Sequence, residues 1–331
     1  MHLSQPGVMW YLSDGLTMRE QSSDEEHPDA ISTFERFDFQ SLWRGREKVI
    51  STERFILTSL LSRTDGRRTL EIGTGEGRLS GVVQLNSQEY VGTDINLSFL
   101  NRISRSCENR KMRLLASNLY HLPFRDNSFT TVVMIRVFNF LSRPESAMRE
   151  ITRVLAPGGS LVMSYNPKPS IATFIDDLKA ILRYSSMVGD NWKPVTFSTG
   201  DAVRIHPSSI PAFSFSVRYF ARLMSESGLA AVAESASGLE DYRFVDRLPD
   251  ELFQKMAFSL YRMPMMPTRF VLARKINGSG KLIMEAESIY CCPQCQSSIR
   301  LDDASTQTFC GTCGFRRDNC QGLPDLRYFP D

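Results

Sequence analysis

The run Thr69-Leu70-Glu71-Ile72-Gly73-Thr74-Gly75-Glu76-Gly77-Arg78 decides how the rest of this chain reads. Leu70 to Ile72 has the short apolar character of a buried strand, and a helix-compatible segment begins at Arg78. Between them stand three glycines at alternate positions. A strand that turns into a helix through glycines brings backbone N–H groups close to a ligand. A tight strand-to-helix turn with no ligand has the same local signature. Two ligand classes are disfavoured by the spacing. A P-loop closes on Gly-Lys-Ser/Thr, which is absent here. The dinucleotide spacing G-x-G-x-x-G is not met either, because Arg78 stands where its third glycine would be.

Outward from this run, strands and helices alternate. Upstream, Phe34, Phe37, Phe39, Leu42 and Trp43 lead into a helical pattern over Glu47 to Leu61, with Ile50, Phe55, Ile56, Leu60 and Leu61 on one face. Downstream, Glu89 to Thr93 reads as a second strand ending in Asp94, Leu97 to Ser106 as a helix, Met112 to Ala116 as a third strand and Thr131 to Ile135 as a fourth. Glu145 to Leu155 is an amphipathic helix, Pro157-Gly158-Gly159 a turn and Ser160 to Ser164 a fifth strand. After an irregular stretch, Val217 to Ser227 reads as a helix and Ala230 to Ser235 as a sixth strand. Glu251 to Leu260 is another helix and Thr268 to Ala273 a seventh strand. The alternation predicts an α/β fold, a doubly wound, Rossmann-like, mostly parallel sheet of seven strands. The polar residues 1–30 read as a mobile arm, residues 31–275 as the main domain, 166–216 as a lid over the carboxyl edge of the sheet, 276–287 as a linker and 288–331 as a small cysteine-rich domain.

Four motifs in order resemble those of the class I S-adenosylmethionine-dependent methyltransferases, particularly the ubiquinone and menaquinone type. They are the Glu71-to-Gly77 run, Asp94 closing the next strand, Leu122-Pro123-Phe124-Arg125-Asp126-Asn127-Ser128-Phe129, and Arg149-Glu150-Ile151-Thr152-Arg153-Val154-Leu155-Ala156-Pro157-Gly158-Gly159. The resemblance implies a methyltransferase (EC 2.1.1.-) with S-adenosylmethionine bound by Glu71, Gly73, Thr74, Gly75, Gly77, Asp94, Ile95, Asn118, Leu119 and Arg136. Asp94 would take the ribose hydroxyls and Glu71 would help orient the methionine ammonium. Asn118 stands where the family carries an acidic acceptor for the adenine amino group, and a neutral amide oxygen can serve there. The segment Arg136 to Leu141 follows the fourth strand and would face the methyl group. It carries Asn139-Phe140 where many relatives carry a His pair, so no imidazole base stands there. Asn139, Arg136, Tyr165 and His206 are the candidates for a catalytic role, and none is assigned as a base. His121 is a further histidine near the third strand. The Asn-Pro-Pro-Tyr type of motif used for amino groups of DNA and some proteins is absent.

Cys292-Pro-Gln-Cys295 and Cys310-Gly-Thr-Cys313 are two C-x-x-C knuckles separated by fourteen residues. Four thiolates at that spacing can surround one structural zinc ion. The stretch from Cys313-Gly314-Phe315 to Leu326 resembles the zinc-ribbon family that activates certain tRNA, rRNA and protein methyltransferases as a separate subunit, with Gln321 and Cys320 departing from its pattern. From Lys281 onward five basic residues face seven acidic ones, a poor case for nucleic acid. A structural role, covering an apolar face, is therefore preferred for the ribbon.

Composition sets the frame for these motifs. The chain has 331 residues, 42% of them apolar and 23% charged, and 39 basic against 37 acidic residues leave a formal charge of +2. No apolar run approaches the roughly 20 residues of a membrane span, and no signal peptide is recognisable. Six of the seven cysteines lie between Cys291 and Cys320, which fits a reducing, cytoplasmic setting with a metal site better than a disulfide framework. Three functions are carried forward: methylation of a small or lipid-like acceptor, methylation of RNA or a translation protein with the ribbon contacting substrate or partner, and a non-catalytic binding protein on the same fold. The oligomeric state is not fixed by any of these residues.

Overall fold

The computed structural model describes residues 45–106, 112–170, 212–238, 266–276, 289–301 and 305–330, with Trp43, Phe174, Ala202–Arg204, Pro249, Glu251, Leu252, Lys255 and Gly278 between them. Helix α1 (Glu47–Leu61) precedes β1 (Arg68–Ile72), and α2 (Ser80–Leu85), β2 (Glu89–Asp94), α3 (Leu97–Ser106), β3 (Met112–Ser117) and β4 (Phe129–Met134) follow. A 3-10 turn over Phe138–Phe140 leads to α4 (Pro144–Val154) and β5 (Leu155–Tyr165). Short strands β6 (Pro167–Lys168), β7 (Ala202–Arg204) and β8 (Phe213–Ser216) come next, then α5 (Val217–Glu226), β9 (Leu229–Ser237) and β10 (Thr268–Lys275). The C-terminal part adds β11 (Gln307–Phe309), β12 (Arg316–Asp318) and β13 (Asp325–Leu326).

The main sheet runs β13-β3-β2-β1-β4-β5-β10-β9, with eight strands rather than the seven expected from the sequence. The eighth is β13, which pairs in parallel with β3 through Asp325 against Ala116 and Leu326 against Ser117. Only β10 runs against its neighbours. Chain order moves outward from β1 through β2 to β3 and then returns to the other side of β1 with β4. That reversal puts the crevice between the carboxyl ends of β1 and β4.

Each face of the sheet carries its own apolar layer. Ile56, Leu57 and Leu60 of α1, Val83 of α2 and Leu100 and Ile103 of α3 pack on Val133, Val162 and Leu272. Met148, Ile151 and Val154 of α4 and Phe220 and Leu223 of α5 pack on Val132, Met134 and Leu161. Alternate residues of β4 thus feed opposite layers, which is why its sequence is a continuous apolar and β-branched run. The inner face of α1 is Val49, Thr52, Glu53, Ile56, Leu57, Leu60 and Leu61. Phe55, expected inside, is 37% exposed. The rows at three- and four-residue spacing through Ile56 and Leu60 set the face, and Phe55 falls off them.

The expected turn at Pro157–Gly159 lies within β5. The pairing of β4 with β5 steps from Phe129–Leu155 to Thr131–Ser160, so β5 carries three more residues than β4 across this step. Helix α5 is capped by Ser216, whose hydroxyl accepts the Tyr219 N–H at 3.0 Å. Within the expected lid, β6, β8 and β7 form a small separate sheet. The expected helix over residues 171–184 is described only at Phe174, which is helical, and His206 lies outside the described residues. The expected helix over 251–260 is described at Glu251, Leu252 and Lys255, all helical, and residues 1–30 also lie outside.

Candidate cofactor site and cysteine cluster

The glycine run sits at the carboxyl end of β1, in the crevice. Gly73, Gly75 and Gly77 all hold positive φ, at 71°, 54° and 82°. A Cβ on Gly73 would collide with Val137 Cγ2, so the loop after β4 closes against this residue. A Cβ on Gly75 would meet nothing within 4 Å. Its requirement is purely conformational, and it faces open space. The turn is tied to β2 by the N–H groups of Gly73 and Thr74, which both donate to the Thr93 carbonyl. Thr74 is buried, and its Oγ1 has no hydrogen-bond partner among the described residues. A buried, unpartnered hydroxyl in a glycine turn is costly without a ligand to satisfy it.

Asp94 closes β2 beside this turn. The Gly75 N–H donates to its Oδ2 at 2.8 Å, and the Asn96 N–H donates to its Oδ1 at 2.8 Å. Each carboxylate oxygen keeps lone pairs for further donors. Burial pushes the Asp94 carboxyl up from its usual value, and the backbone N–H groups pull the other way. Glu71 lies inside β1, 5% exposed, and accepts the Tyr90 hydroxyl at 2.5 Å. Burial pushes its carboxyl up to about 7 against that hydrogen bond. The residue is therefore poised to ionise when a cation approaches.

Arg136 follows β4 with φ at 62°, and its N–H donates to Ser164 Oγ at 2.9 Å. Its guanidinium meets the fully buried carboxylate of Glu53 at 2.7 Å and donates to Thr268 Oγ1 at 2.8 Å. Arg78, the last residue of the opening run, meets the other Glu53 oxygen at 2.5 Å. The Trp43 ring covers both cations, with Arg78 at 3.8 Å and Arg136 at 5.8 Å from its centre. Burial acts to raise the Glu53 carboxyl, and the two guanidiniums outweigh it, so it stays ionised below the ordinary range. Two cations on one anion leave positive charge beside the glycine turn. Glu53 was not singled out from the sequence. The signal was there: an acidic residue on the inner face of α1, three before Ile56 and seven before Leu60.

Asn118 and Leu119 lie just past β3, whose Ala116 pairs with Asp94 of β2. Asn118 is buried, its Oδ1 accepts the Tyr120 N–H at 3.0 Å, and its Nδ2 donates to the Tyr328 carbonyl at 3.0 Å. Leu119 is partly buried against the core. Arg327 donates to the Ile95 carbonyl at 3.1 Å. His121 is half-buried and meets the edge of the Tyr328 ring.

The remaining catalytic candidates are placed in packing. Asn139 is buried and donates to the Phe213 carbonyl of β8 at 2.6 Å, tying the loop after β4 to the small sheet of β6, β8 and β7. Phe138 is buried against Phe215 and Phe220. Tyr165 is 2% exposed and stacks on Phe220 at 3.7 Å, and burial pushes its phenol up to about 12.

Cys292, Cys295, Cys310 and Cys313 bring their Sγ atoms within 4.8 Å of one another. The Cys292–Cys313 and Cys295–Cys310 separations are both 3.6 Å. Tetrahedral thiolates at a zinc–sulfur distance of 2.3 Å stand about 3.8 Å apart, so this set suits such an ion. The cysteine segment is packed on the main domain. The Cys291 N–H donates to the Pro123 carbonyl at 3.0 Å and the Arg125 N–H to the Ile289 carbonyl at 2.8 Å. Cys291 itself bonds Gln296 and stands apart from the four.

Comparison with known proteins places this geometry. Residues 70–163 match the methyltransferase domain family. The demethylmenaquinone methyltransferase of Chlamydia trachomatis is 32% identical over 118 residues, 34% of this chain and 52% of that protein. A mouse protein described as "Probable tRNA methyltransferase 9B" is 29% identical over 107 residues, 31% of this chain and 23% of that protein. The chain spans about half the length of the first curated relatives it matches. A solved S-adenosylmethionine-dependent methyltransferase of Thermotoga maritima shares the fold at a TM-score of 0.50 and 17% identity, covering 74% of this chain and 99% of that one. Residues 70–163 thus resemble a methyltransferase domain in sequence, and the fold around them is that of a solved S-adenosylmethionine-dependent methyltransferase.

Proposed function

We propose that the protein transfers a methyl group from S-adenosylmethionine to a small or lipid-like acceptor. The observation that carries this reading is the glycine turn with an unpartnered Thr74 hydroxyl beside Asp94. The residues fit the cofactor's parts. Asp94 accepts from the ribose hydroxyls, and Asn118 Oδ1 and the Leu119 N–H serve the adenine. Glu71 takes the ammonium. Arg78 and Arg136, held by Glu53, supply positive charge for the carboxylate.

Bound S-adenosylmethionine supplies an electrophilic sulfonium methyl: its carbon–sulfur bond breaks as the acceptor–carbon bond forms, leaving S-adenosylhomocysteine. The chain's part is to hold the two in line and exclude water. Among the described candidates no side chain is presented as a base. Asn139 is spent on Phe213, and Tyr165 is stacked in the core with a phenol that stays neutral. An acceptor that ionises readily, such as a phenol or an enol, suits such a site. The partly buried Phe213 of the lid sheet and the similarity to a demethylmenaquinone methyltransferase support an aromatic or lipid-like acceptor.

The cysteine cluster in this reading holds one structural zinc ion through Cys292, Cys295, Cys310 and Cys313. A second reading, methylation of RNA or a translation protein, draws on the similarity to the mouse tRNA-methyltransferase relative and on the ribbon. The acidic excess of the ribbon weighs against nucleic acid.

Calorimetry with S-adenosylmethionine tests the reading. The protein should bind, and Asp94→Ala should raise Kd at least tenfold or so, the worth of a hydrogen bond to a charged group. Absence of binding would return the fold to a non-catalytic role. Labelled-methyl transfer to lipid, metabolite, RNA and protein fractions then separates the acceptors.

A further inference from the structure

The last residues of the chain lie against the nucleoside side of the site. Strand β13 pairs with β3, and the Ala116 N–H donates to the Pro324 carbonyl at 2.9 Å. Asp325, 6% exposed, fixes the residue two further on. Its Oδ1 accepts the backbone N–H and Nε of Arg327, both at 3.0 Å, and its Oδ2 accepts Nη2 at 2.8 Å. Held this way, Arg327 Nη1 reaches the carbonyl of Ile95, the residue after Asp94. The next carbonyl, that of Tyr328, accepts Asn118 Nδ2.

Asn118 thereby has no choice of orientation. A carbonyl can be met only by its NH2 end, and the Tyr120 N–H only by its oxygen end. Both partners demand the same amide orientation, and the residue is 2% exposed. The oxygen keeps one lone pair for a ligand donor. A carboxylate at this position would set two acceptors face to face across the 3.0 Å now spanned by the Nδ2–Tyr328 bond.

We propose that Arg327 and the Tyr328 backbone are positioning residues for the nucleobase: they fix the Asn118 amide as an acceptor and hold the Ile95 carbonyl in place. The inference rests on the cofactor reading above, and it adds a requirement from a segment more than 200 residues away in sequence. It also makes a directional claim. For an isolated acceptor, a carboxylate binds an amino group more strongly than an amide does. With the tail carbonyl in place, the order reverses.

Calorimetric titration of the full chain with S-adenosylhomocysteine and S-inosylhomocysteine, which carries an oxygen in place of the adenine amino group, decides the matter. The unchanged protein should favour the adenosyl compound by about tenfold or more. Asn118→Asp should weaken adenosyl binding about tenfold and bring the two ligands close to parity. Arg327→Ala should lower the same preference several-fold with its cooperative melting retained, and Arg327→Lys should recover part of it. Asn118→Asp binding the adenosyl compound as well as or better than the unchanged protein would overturn the proposal, as would Arg327→Ala with an unaltered preference. Should Asn118→Asp not fold, the Arg327 variants decide alone. If the unchanged protein binds neither compound, the cofactor reading itself falls, an outcome distinct from binding without the predicted preference.

Discussion

At the residue scale, two buried carboxylates do opposite things because of what surrounds them. Glu71 has a phenol for a partner, and burial lifts it to about 7. Glu53 has two guanidiniums and stays ionised. The sign for Glu71 follows from linkage. Its folded value lies above the ordinary 4.5, so its contribution to stability is full below about 4.5 and is lost as pH rises through about 7. A bound ammonium reverses the preference. Affinity for S-adenosylmethionine should climb from pH 6 to 8, by up to about tenfold per pH unit below the Glu71 value. Calorimetry across that range should show the slope, and Glu71→Gln should flatten it. For Glu53→Gln the loss is structural. Two guanidiniums keep only a neutral partner, and the expected cost is about 3–5 kcal/mol in chemical denaturation.

At the scale of elements, the site depends on loops that hold one another. Gly73 lets Val137 close on the turn, while Gly75 supplies a positive φ facing open space. Gly75→Ala should cost about 1–2 kcal/mol of stability for the left-handed conformation alone, and its methyl should weaken cofactor binding besides. A matched loss of stability with unchanged cofactor affinity would place the ligand elsewhere. The loop after β4 is tied to β8 by the Asn139–Phe213 bond. Asn139→Ala should raise the acceptor KM while leaving the S-adenosylmethionine Kd within about twofold, because the bond anchors the small sheet at β8 and not the glycine turn. Steady-state kinetics with each substrate varied in turn checks the split.

At the scale of the whole molecule, the C-terminal part extends the sheet by one short strand. An edge strand left bare presents unpaired backbone groups, and β13 covers the carboxyl end of β3. Ile289, Tyr290, Cys292 and Phe315 share one apolar layer with α4 and β4. If the four cysteines hold zinc as proposed, stripping it should reach beyond their own segment. In peptide models, structural zinc supplies on the order of 10–16 kcal/mol of folding free energy. Chelation should abolish the fold around the four cysteines, lower the melting temperature of the main domain and expose the Ala116 amide of β3 to hydrogen exchange. Re-addition of zinc should restore all three. A main domain that melts unchanged after stripping would mean that β13 docks without the cluster. Among the described residues, no helix is long and apolar enough to cross a membrane.

The sequence by itself determined the sheet, the crevice and the cluster of four thiols, because each is written in local spacing. The glycines at alternate positions set the turn, strand–helix alternation set the parallel sheet, and two C-x-x-C knuckles brought four sulfurs together. Tertiary structure alone decided the rest. A two-residue strand such as β13 has no periodicity to read, and its pairing comes from the edge that β3 offers. The orientation of Asn118 depends on a carbonyl at Tyr328, and the charge of Glu53 depends on cations from the loop after β4 and the glycine turn. Such partners meet only once the sheet has formed, and the low dielectric inside it makes their pairing obligatory.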